Sequence, residues 1–163
     1  MTISEALVTE LDAEIAITRK TLEKVPQKAE YTPHPKSMPL GNLAALVAQL
    51  VEFGDIVLSG PQLDFSSGQF KALRFESAEQ LVKFLDEHSA QLRSKLSQVP
   101  DEAWTENWKL LHQGKPLFDG TRFLGYREMF MNHLVHHRAQ LGVYLRLNGI
   151  AVPSVYGPSA DDK

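Results

Sequence analysis

The sequence predicts an all-α protein built as a four-helix bundle. Two observations support this prediction. Apolar residues recur at intervals of three and four along four separate segments, which is the spacing of a helix with one buried face. Each segment has about 20 residues and would form a helix about 30 Å long, which is long enough to pack against its neighbours as a bundle.

The first predicted helix covers residues 3–25 and ends at Pro26. The stretch that follows, "PQKAEYTPHPKSMP", contains four prolines and predicts neither helix nor strand. A second helix begins near Pro39, because the N–H group that proline lacks would be unpaired in a first helical turn. The apolar positions of this helix continue to Gly60 and Pro61, which end it.

The second half of the chain predicts two more helices. Residues 62–76 are expected to be a loop, and a third helix covers about 77–99. The segment 101–121 before the last helix is expected to be irregular. Its two tryptophans either cover one end of the bundle or belong to a short pair of strands.

The fourth helix covers about 122–148. Gly149 follows its last turn, where a left-handed residue closes many helices. The whole chain, 1–163, is predicted to form a single domain, because this length suits one hydrophobic core.

The composition limits the classes of function. The 17 basic and 20 acidic residues give a net charge of −3, which offers no basic surface for the phosphates of a nucleic acid. The absence of cysteine excludes disulfides, thiolate metal ligands and a cysteine nucleophile. The acidic N-terminal stretch differs from a signal peptide, and no apolar run approaches the roughly 18 residues of a membrane span. We therefore expect a cytoplasmic protein without nucleic-acid or membrane partners.

The stretch "MNHLVHHRAQL", residues 131–141, contains three of the six histidines of the chain. At about 100° per residue, His133 and His137 lie within about 40° of each other, inside an apolar stripe centred about 60° from His133. His136 points away from this stripe. The sequence predicts a solvated or interface position for His136 and for Arg138.

A histidine pair at positions i and i+4 can bind one metal ion, because one helical turn brings both imidazoles to the same side. The glutamate of a zinc-protease HExxH helix is missing here, because Leu134 stands in its place. A buried imidazole without a partner would cost about 1–3 kcal/mol. His133 and His137 are therefore predicted either to bind a divalent metal or to form a structural pair with bound water.

Further residues around the pair extend this pattern. Over 126–161 they are His133, His137, Arg138, Gln140, Tyr144-Leu145-Arg146, Gly149, Pro153 and Tyr156-Gly157. This pattern resembles the closing signature of the DinB-like superfamily of four-helix bundles. A weaker similarity covers 36–60, where "MPLGNLAALVAQL" looks like the beginning of the second helix in that superfamily.

The resemblance implies a divalent metal, often nickel or zinc, that three histidines hold. Two of them match His133 and His137. The third family position lies on the second helix and is Leu46 in this chain. Leucine has no donor atom, and two imidazoles alone hold a metal less firmly than three.

Three side chains near Leu46 are candidates to replace the missing ligand. Gln49 and Asn42 lie within about one turn of Leu46, whereas Glu52 points away from it. Amides are weak ligands for nickel and zinc, which favour imidazole.

Two functions follow from the resemblance as alternatives. In the first, the metal supports thiol-transferase or hydrolase-like chemistry, with a small-molecule thiol as cosubstrate and Tyr144 as a polar group near the pocket. In the second, the protein keeps the bundle without metal or catalysis and binds a small ligand or acts as an interaction module. The resemblance also implies a homodimer.

Overall fold

The computed structural model describes residues 1–68 and 71–162 as a helical bundle with a small attached sheet. The four predicted helices are all present in this part of the chain. The second and the fourth are each built from two consecutive helices. The helices are α1 (Ile3–Leu22), α2 (Leu40–Gln49), α3 (Val51–Ser59), α4 (Ala78–Leu96), α5 (Arg122–Tyr126) and α6 (Asn132–Leu147).

The sheet corrects the prediction of a purely α fold. Within the described residues it has three strands in the order β1 (Gln62–Asp64), β2 (Asn107–His112) and β3 (Lys115–Thr121). β1 runs parallel to β2, and β2 runs antiparallel to β3. Two strands thus lie in the segment 101–121 that was expected to be irregular. The third lies in the expected loop 62–76, of which residues 69 and 70 are outside the described residues.

The two tryptophans of the segment 101–121 have different positions, one outside the strand pair and one within it. Trp104 lies in a short 3₁₀ turn, Asp101–Thr105, and its indole N–H donates to Ser4 Oγ at the start of α1 over 3.0 Å. Trp108 lies on β2 and is fully buried. One tryptophan therefore fastens the segment to α1, and the other provides the buried side of the strand pair.

The second rod, which is α2 continued by α3, runs through the centre of the bundle. Leu50 keeps helical dihedral angles between α2 and α3, so that Leu40–Ser59 continues in one direction. This stretch is the candidate for a membrane-spanning helix among the described residues, with a mean hydropathy of 1.4. However, 67% of its most apolar window is buried inside the protein, as is typical of a core helix.

The fourth rod, which is α5 continued by α6, changes its helical pitch once. A π-helical turn, Arg127–Met131, joins α5 to α6, and the N–H of Asn132 donates to the carbonyl of Arg127. Because such a turn holds an extra residue, it shifts the faces of α6 relative to those of α5. The predicted end at Gly149 is confirmed: its φ is 71°, and the Ile150 N–H donates to the Leu145 carbonyl over 3.0 Å, as in a Schellman motif.

Two helical glycines differ in their surroundings. A Cβ atom on Gly54 in α3 would lie 2.6 Å from Leu92 Cδ2 and 2.9 Å from Phe130 Cδ1. Gly54 therefore allows the second rod to approach α4 and the fourth rod closely. A Cβ atom on Gly142 in α6 would meet only Val152 Cγ1, at an ordinary 3.6 Å.

Substitution of these glycines should change stability in opposite directions. Gly54→Ala forces a methyl group into packed side chains and is expected to destabilise the fold by about 1–3 kcal/mol. Gly142→Ala adds no clash and should stabilise α6 by about 0.5–1 kcal/mol, because alanine favours a helix interior. Urea denaturation of both variants measures the difference, and a Gly54→Ala protein as stable as Gly142→Ala would contradict this packing.

Asp64 connects two turns of the sheet. Its carboxylate accepts hydrogen bonds from the Ser66 N–H at 2.8 Å and from the Gly114 N–H at 3.0 Å, in the turn between β2 and β3. The residues of that turn, Gln113 and Gly114, have φ values of 51° and 73°. The hydroxyl and the N–H of Ser66, followed by the N–H of Gly114, lower the pKa of Asp64 to about 2.

The contribution of Asp64 to stability should therefore depend on pH. Because the folded state lowers this pKa from 3.8 to about 2, the ionised carboxylate stabilises the fold above pH 3.8. The contribution is lost as the pH falls through about 2. We expect the difference in unfolding free energy between wild type and Asp64→Asn to shrink between pH 4 and pH 2. A difference that stays constant over this range would show that the charge has no role.

Candidate functional site

His133 and His137 meet on α6 as their spacing predicts. Their Nε2 atoms lie 2.8 Å apart, and both side chains are partly buried. His136 is exposed, as expected, with its ring beside that of His137 at a centroid distance of 4.9 Å. The pair lies at the margin of the buried face, whose centre is formed by Leu134 and Leu141.

The other ring nitrogen of each histidine faces an oxygen acceptor. His137 Nδ1 lies 2.7 Å from Gln140 Oε1, and His133 Nδ1 lies 3.4 Å from the carbonyl of Met129, within the π-helical turn. These acceptors favour the tautomer with the proton on Nδ1 in both rings. Such second partners orient the imidazoles of metal sites and fix their tautomers.

This tautomer places two Nε2 lone pairs against each other. At 2.8 Å they repel unless a positive charge, a shared proton or a metal ion, lies between them, or unless one ring takes the Nε2–H tautomer and donates to the other. The separation is within the span of two metal–nitrogen bonds of about 2.0–2.1 Å each. The pair can therefore either form one hydrogen bond between neutral rings or provide two nitrogen ligands to one cation.

The surroundings of the pair disfavour the proton as that cation. Burial lowers the pKa of His133, and repulsion from His137 lowers it further. Burial also lowers the pKa of His137, against the opposing effect of its hydrogen bond to Gln140. Both rings are therefore held in the neutral form near pH 7, which is the form that binds metal ions.

Of the three side chains that could replace the third ligand, Gln49 and Glu52 are engaged elsewhere. Gln49 is buried, and its Oε1 accepts from the Leu73 N–H at 3.0 Å while its Nε2 donates to the Lys71 carbonyl at 2.6 Å. Glu52 accepts from Gln49 and faces α4. Asn42 is exposed.

Leu46 itself packs partly buried against the core. Within residues 1–68 and 71–162, no group of three His, Asp or Glu side chains is placed to hold one metal ion. The residues present thus fit the nitrogen side of a metal site but provide only two of the three family ligands. Water or a bound molecule would have to complete the coordination of the ion.

The prediction of a solvated or interface position for Arg138 is wrong. Arg138 is 2% exposed, and its guanidinium forms an ion pair with Glu14 on α1 at 2.7 Å. It also donates to Thr18 Oγ1 at 3.0 Å. The sequence did contain a signal for this pair: Glu14 and Thr18 stand at core positions of α1, three and seven residues after Leu11.

The C-terminal segment, defined here as residues 150–162, covers this ion pair. The Tyr156 hydroxyl accepts from Arg138 at 2.6 Å and donates to the Glu14 carboxylate at 2.9 Å. Burial of the hydroxyl and its bond to Glu14 raise the pKa of Tyr156. Arg138 and Tyr156 of the sequence pattern therefore act in structure, on a different side of α6 from the histidine pair.

The remaining polar residues do not join the pair. His34 and His112 are exposed. His88 is partly buried, with Nδ1 2.8 Å from the carbonyl of Phe84. Tyr144, expected near a pocket, contacts the ring of Tyr31 edge-on at a centroid distance of 6.0 Å.

Comparison with known families shows which family this chain belongs to. A model of the DinB family matches residues 61–163. That stretch contains the sheet, α4, the histidine pair and the C-terminal segment. The chain belongs to the DinB family.

Solved structures agree on the fold. A DinB-like protein from Bacillus cereus ATCC 10987 is 21% identical and superposes with a TM-score of 0.69 over 93% of this chain and 97% of its own. A DinB-like protein from Bacillus subtilis is 20% identical, with a TM-score of 0.66 over 88% and 92%. No curated protein matches the sequence.

The Arg138–Glu14 pair generates a prediction for stability. Arg138→Met leaves the Glu14 carboxylate buried without its cation and should destabilise the fold by about 3–5 kcal/mol. The double variant Glu14→Met/Arg138→Met removes both charges and should recover much of that loss. Urea denaturation provides the measurement. An Arg138→Met protein within about 1 kcal/mol of wild type would contradict the role assigned to this pair.

Proposed function

We propose that this protein binds a divalent cation of the nickel or zinc type through the Nε2 atoms of His133 and His137. The observation that carries the proposal is the approach of these two atoms to 2.8 Å while both Nδ1 atoms face acceptors. With both protons on Nδ1, two neutral imidazoles in this arrangement direct their Nε2 lone pairs at one cation. Imidazole is also the ligand that nickel and zinc favour.

The two-histidine set leaves coordination positions open. Leu46 offers no donor atom at the third family position, and Gln49 is occupied by backbone groups. We propose that a small molecule fills these positions as cosubstrate or substrate. A bound cation of this type lowers the pKa of a coordinated thiol or water and makes it nucleophilic near neutral pH.

The side chains of this protein prepare the site for such chemistry. Gln140 and the Met129 carbonyl orient the rings, and partial burial keeps both imidazoles neutral. The chain has no cysteine, so a thiol would have to come from a small molecule. We therefore propose thiol-transferase or hydrolase-like chemistry on a small substrate, in keeping with membership of the DinB family.

The missing third donor favours a second candidate function. In this alternative one neutral ring donates its Nε2–H to the other, and the protein binds a small ligand, or a second copy of itself, without metal. The two candidates differ in one measurable property, which is stoichiometric metal binding by the untagged protein.

Metal binding can be tested by variants of the cluster. Calorimetric titration with Ni²⁺ and Zn²⁺ is expected to show one site per chain in wild type and none in His133→Ala or His137→Ala. His136→Ala is the matched control and should keep the site, because its ring lies outside the pair. Gln140→Ala should weaken binding by about 10- to 100-fold, as loss of a second partner does in metal sites.

Leu46→His tests the proposed site by adding a ligand instead of removing one. It introduces a histidine at the third position of the family pattern. A third imidazole at this position is expected to tighten binding of Ni²⁺ and Zn²⁺ relative to wild type. If wild type binds neither ion and the histidine variants change only the urea midpoint, the metal proposal is wrong and the metal-free alternative stands.

A further inference from the structure

The outer side of α6 carries a second cavity, away from the histidine pair. It has a volume of about 460 Å³ and lies between α6 and the C-terminal segment, with Thr21 of α1 at one side. Its apolar walls come from both elements. They are Val135, Ala139, Gly142 and Val143 on the helix and Val152 and Val155 on the segment.

Position on the helix separates this cavity from the candidate metal site. At about 100° per residue, Gly142 and Val135 lie about 180–200° from His133, which places the cavity on the opposite side of α6. Neither His133 nor His137 lines it. The cavity is therefore independent of the function proposed above.

Gly142 keeps the cavity open. A helical glycine is usually explained by close packing, as at Gly54 and Gly125, where a Cβ atom would approach other side chains to 2.6 Å and 2.8 Å. Gly142 has no such neighbour, since its Cβ would meet only Val152 at 3.6 Å. Glycine nevertheless weakens the interior of a helix relative to alanine. The feature that Gly142 provides is open space beside α6.

The charges beside the cavity indicate an uncharged occupant. Two arginines border it, and each already has a carboxylate partner: Arg138 pairs with Glu14 at 2.7 Å, and Arg146 pairs with Asp161 at 2.7 Å. A charged ligand would meet no uncompensated charge here. An apolar, uncharged molecule instead gains from covering the valines.

The size of the cavity favours a small molecule over a second copy of the chain. Ligand pockets have volumes of about 300–1,000 Å³ and mostly apolar walls. A stable dimer needs about 800 Å² from each partner and a matching convex surface. We propose that the cavity between α6 and the C-terminal segment binds an uncharged apolar molecule of one to three rings.

The proposal can be tested with N-phenyl-1-naphthylamine, an uncharged probe whose fluorescence rises in apolar surroundings. Wild type is expected to bind one probe per chain in a saturable manner. Gly142→Leu fills the cavity from the helix and Val155→Phe fills it from the segment. Each should weaken binding by about tenfold or more. The two variants alter different elements, so that a folding defect in one leaves the other informative.

Two controls locate the bound probe. Ala13→Leu adds the same side chain as Gly142→Leu at an exposed position of α1 and should leave the probe affinity unchanged. The double variant His133→Ala/His137→Ala should also leave it unchanged, which separates this cavity from the metal site.

Three results would overturn the proposal. They are the absence of saturable binding, equal affinity in wild type and both filled variants, or loss of binding in the double histidine variant. Sedimentation tests the other possible occupant, a second copy of the chain. A wild-type dimer that Gly142→Leu makes monomeric, without probe binding, would assign the cavity to a second copy.

Discussion

The buried ion pair between Arg138 and Glu14 determines how α6 sits in this fold. A charge at 2% exposure is tolerated only where a partner lies close, so Arg138 has to face Glu14 on α1. This requirement fixes the rotation of α6 about its axis. With that rotation fixed, His133 and His137 come to the margin of the core, and Gly142 turns to the side covered by the C-terminal segment. Both candidate sites thus depend on the rotation of α6, which this contact sets together with the burial of Leu134, Leu141 and Leu145.

The π-helical turn before α6 also affects the rotation of α6 about its axis. The core of the fourth rod includes Tyr126 and Phe130 before or within the turn and Leu134 after it. An extra residue in the turn allows both parts to bury their apolar side chains although their faces differ in phase. The turn also places the Met129 carbonyl beside His133 Nδ1. Local irregularity here serves the orientation of a functional side chain.

At 20–21% identity, the two Bacillus structures share the fold with this chain, and the fold is what such a distance establishes. Chemistry has to be argued from the site itself. That argument rests on the imidazole pair with its Nδ1 acceptors, since the described residues contain no third His, Asp or Glu side chain placed to complete a metal site. The fold thus brings together two of the three histidines that the resemblance implies.

Periodicity along the chain was enough to find the four helical rods, the end at Gly149 and the pairing of His133 with His137. These features depend on neighbours within one or two turns, which the sequence contains directly. The sheet was missed as a definite element because β1 pairs with β2 across more than forty residues, and three residues such as Gln62–Asp64 are too short to show a period. The predicted stripe of α6 lies too close to the histidines, because apolar periodicity leaves out the buried Arg138 and takes no account of the π-helical turn that contains Phe130.

What the sequence by itself determined, therefore, is the set of helices and the presence of two imidazoles on one side of the last of them. Only the tertiary structure decided that Arg138 is buried, that Gln49 is engaged by the backbone at Lys71 and Leu73, and that a cavity lies beside Gly142. The physical reason is the same in each case. Whether a polar side chain is buried, or a glycine borders open space, depends on which distant segment packs against it. The sequence of a single helix does not specify that segment.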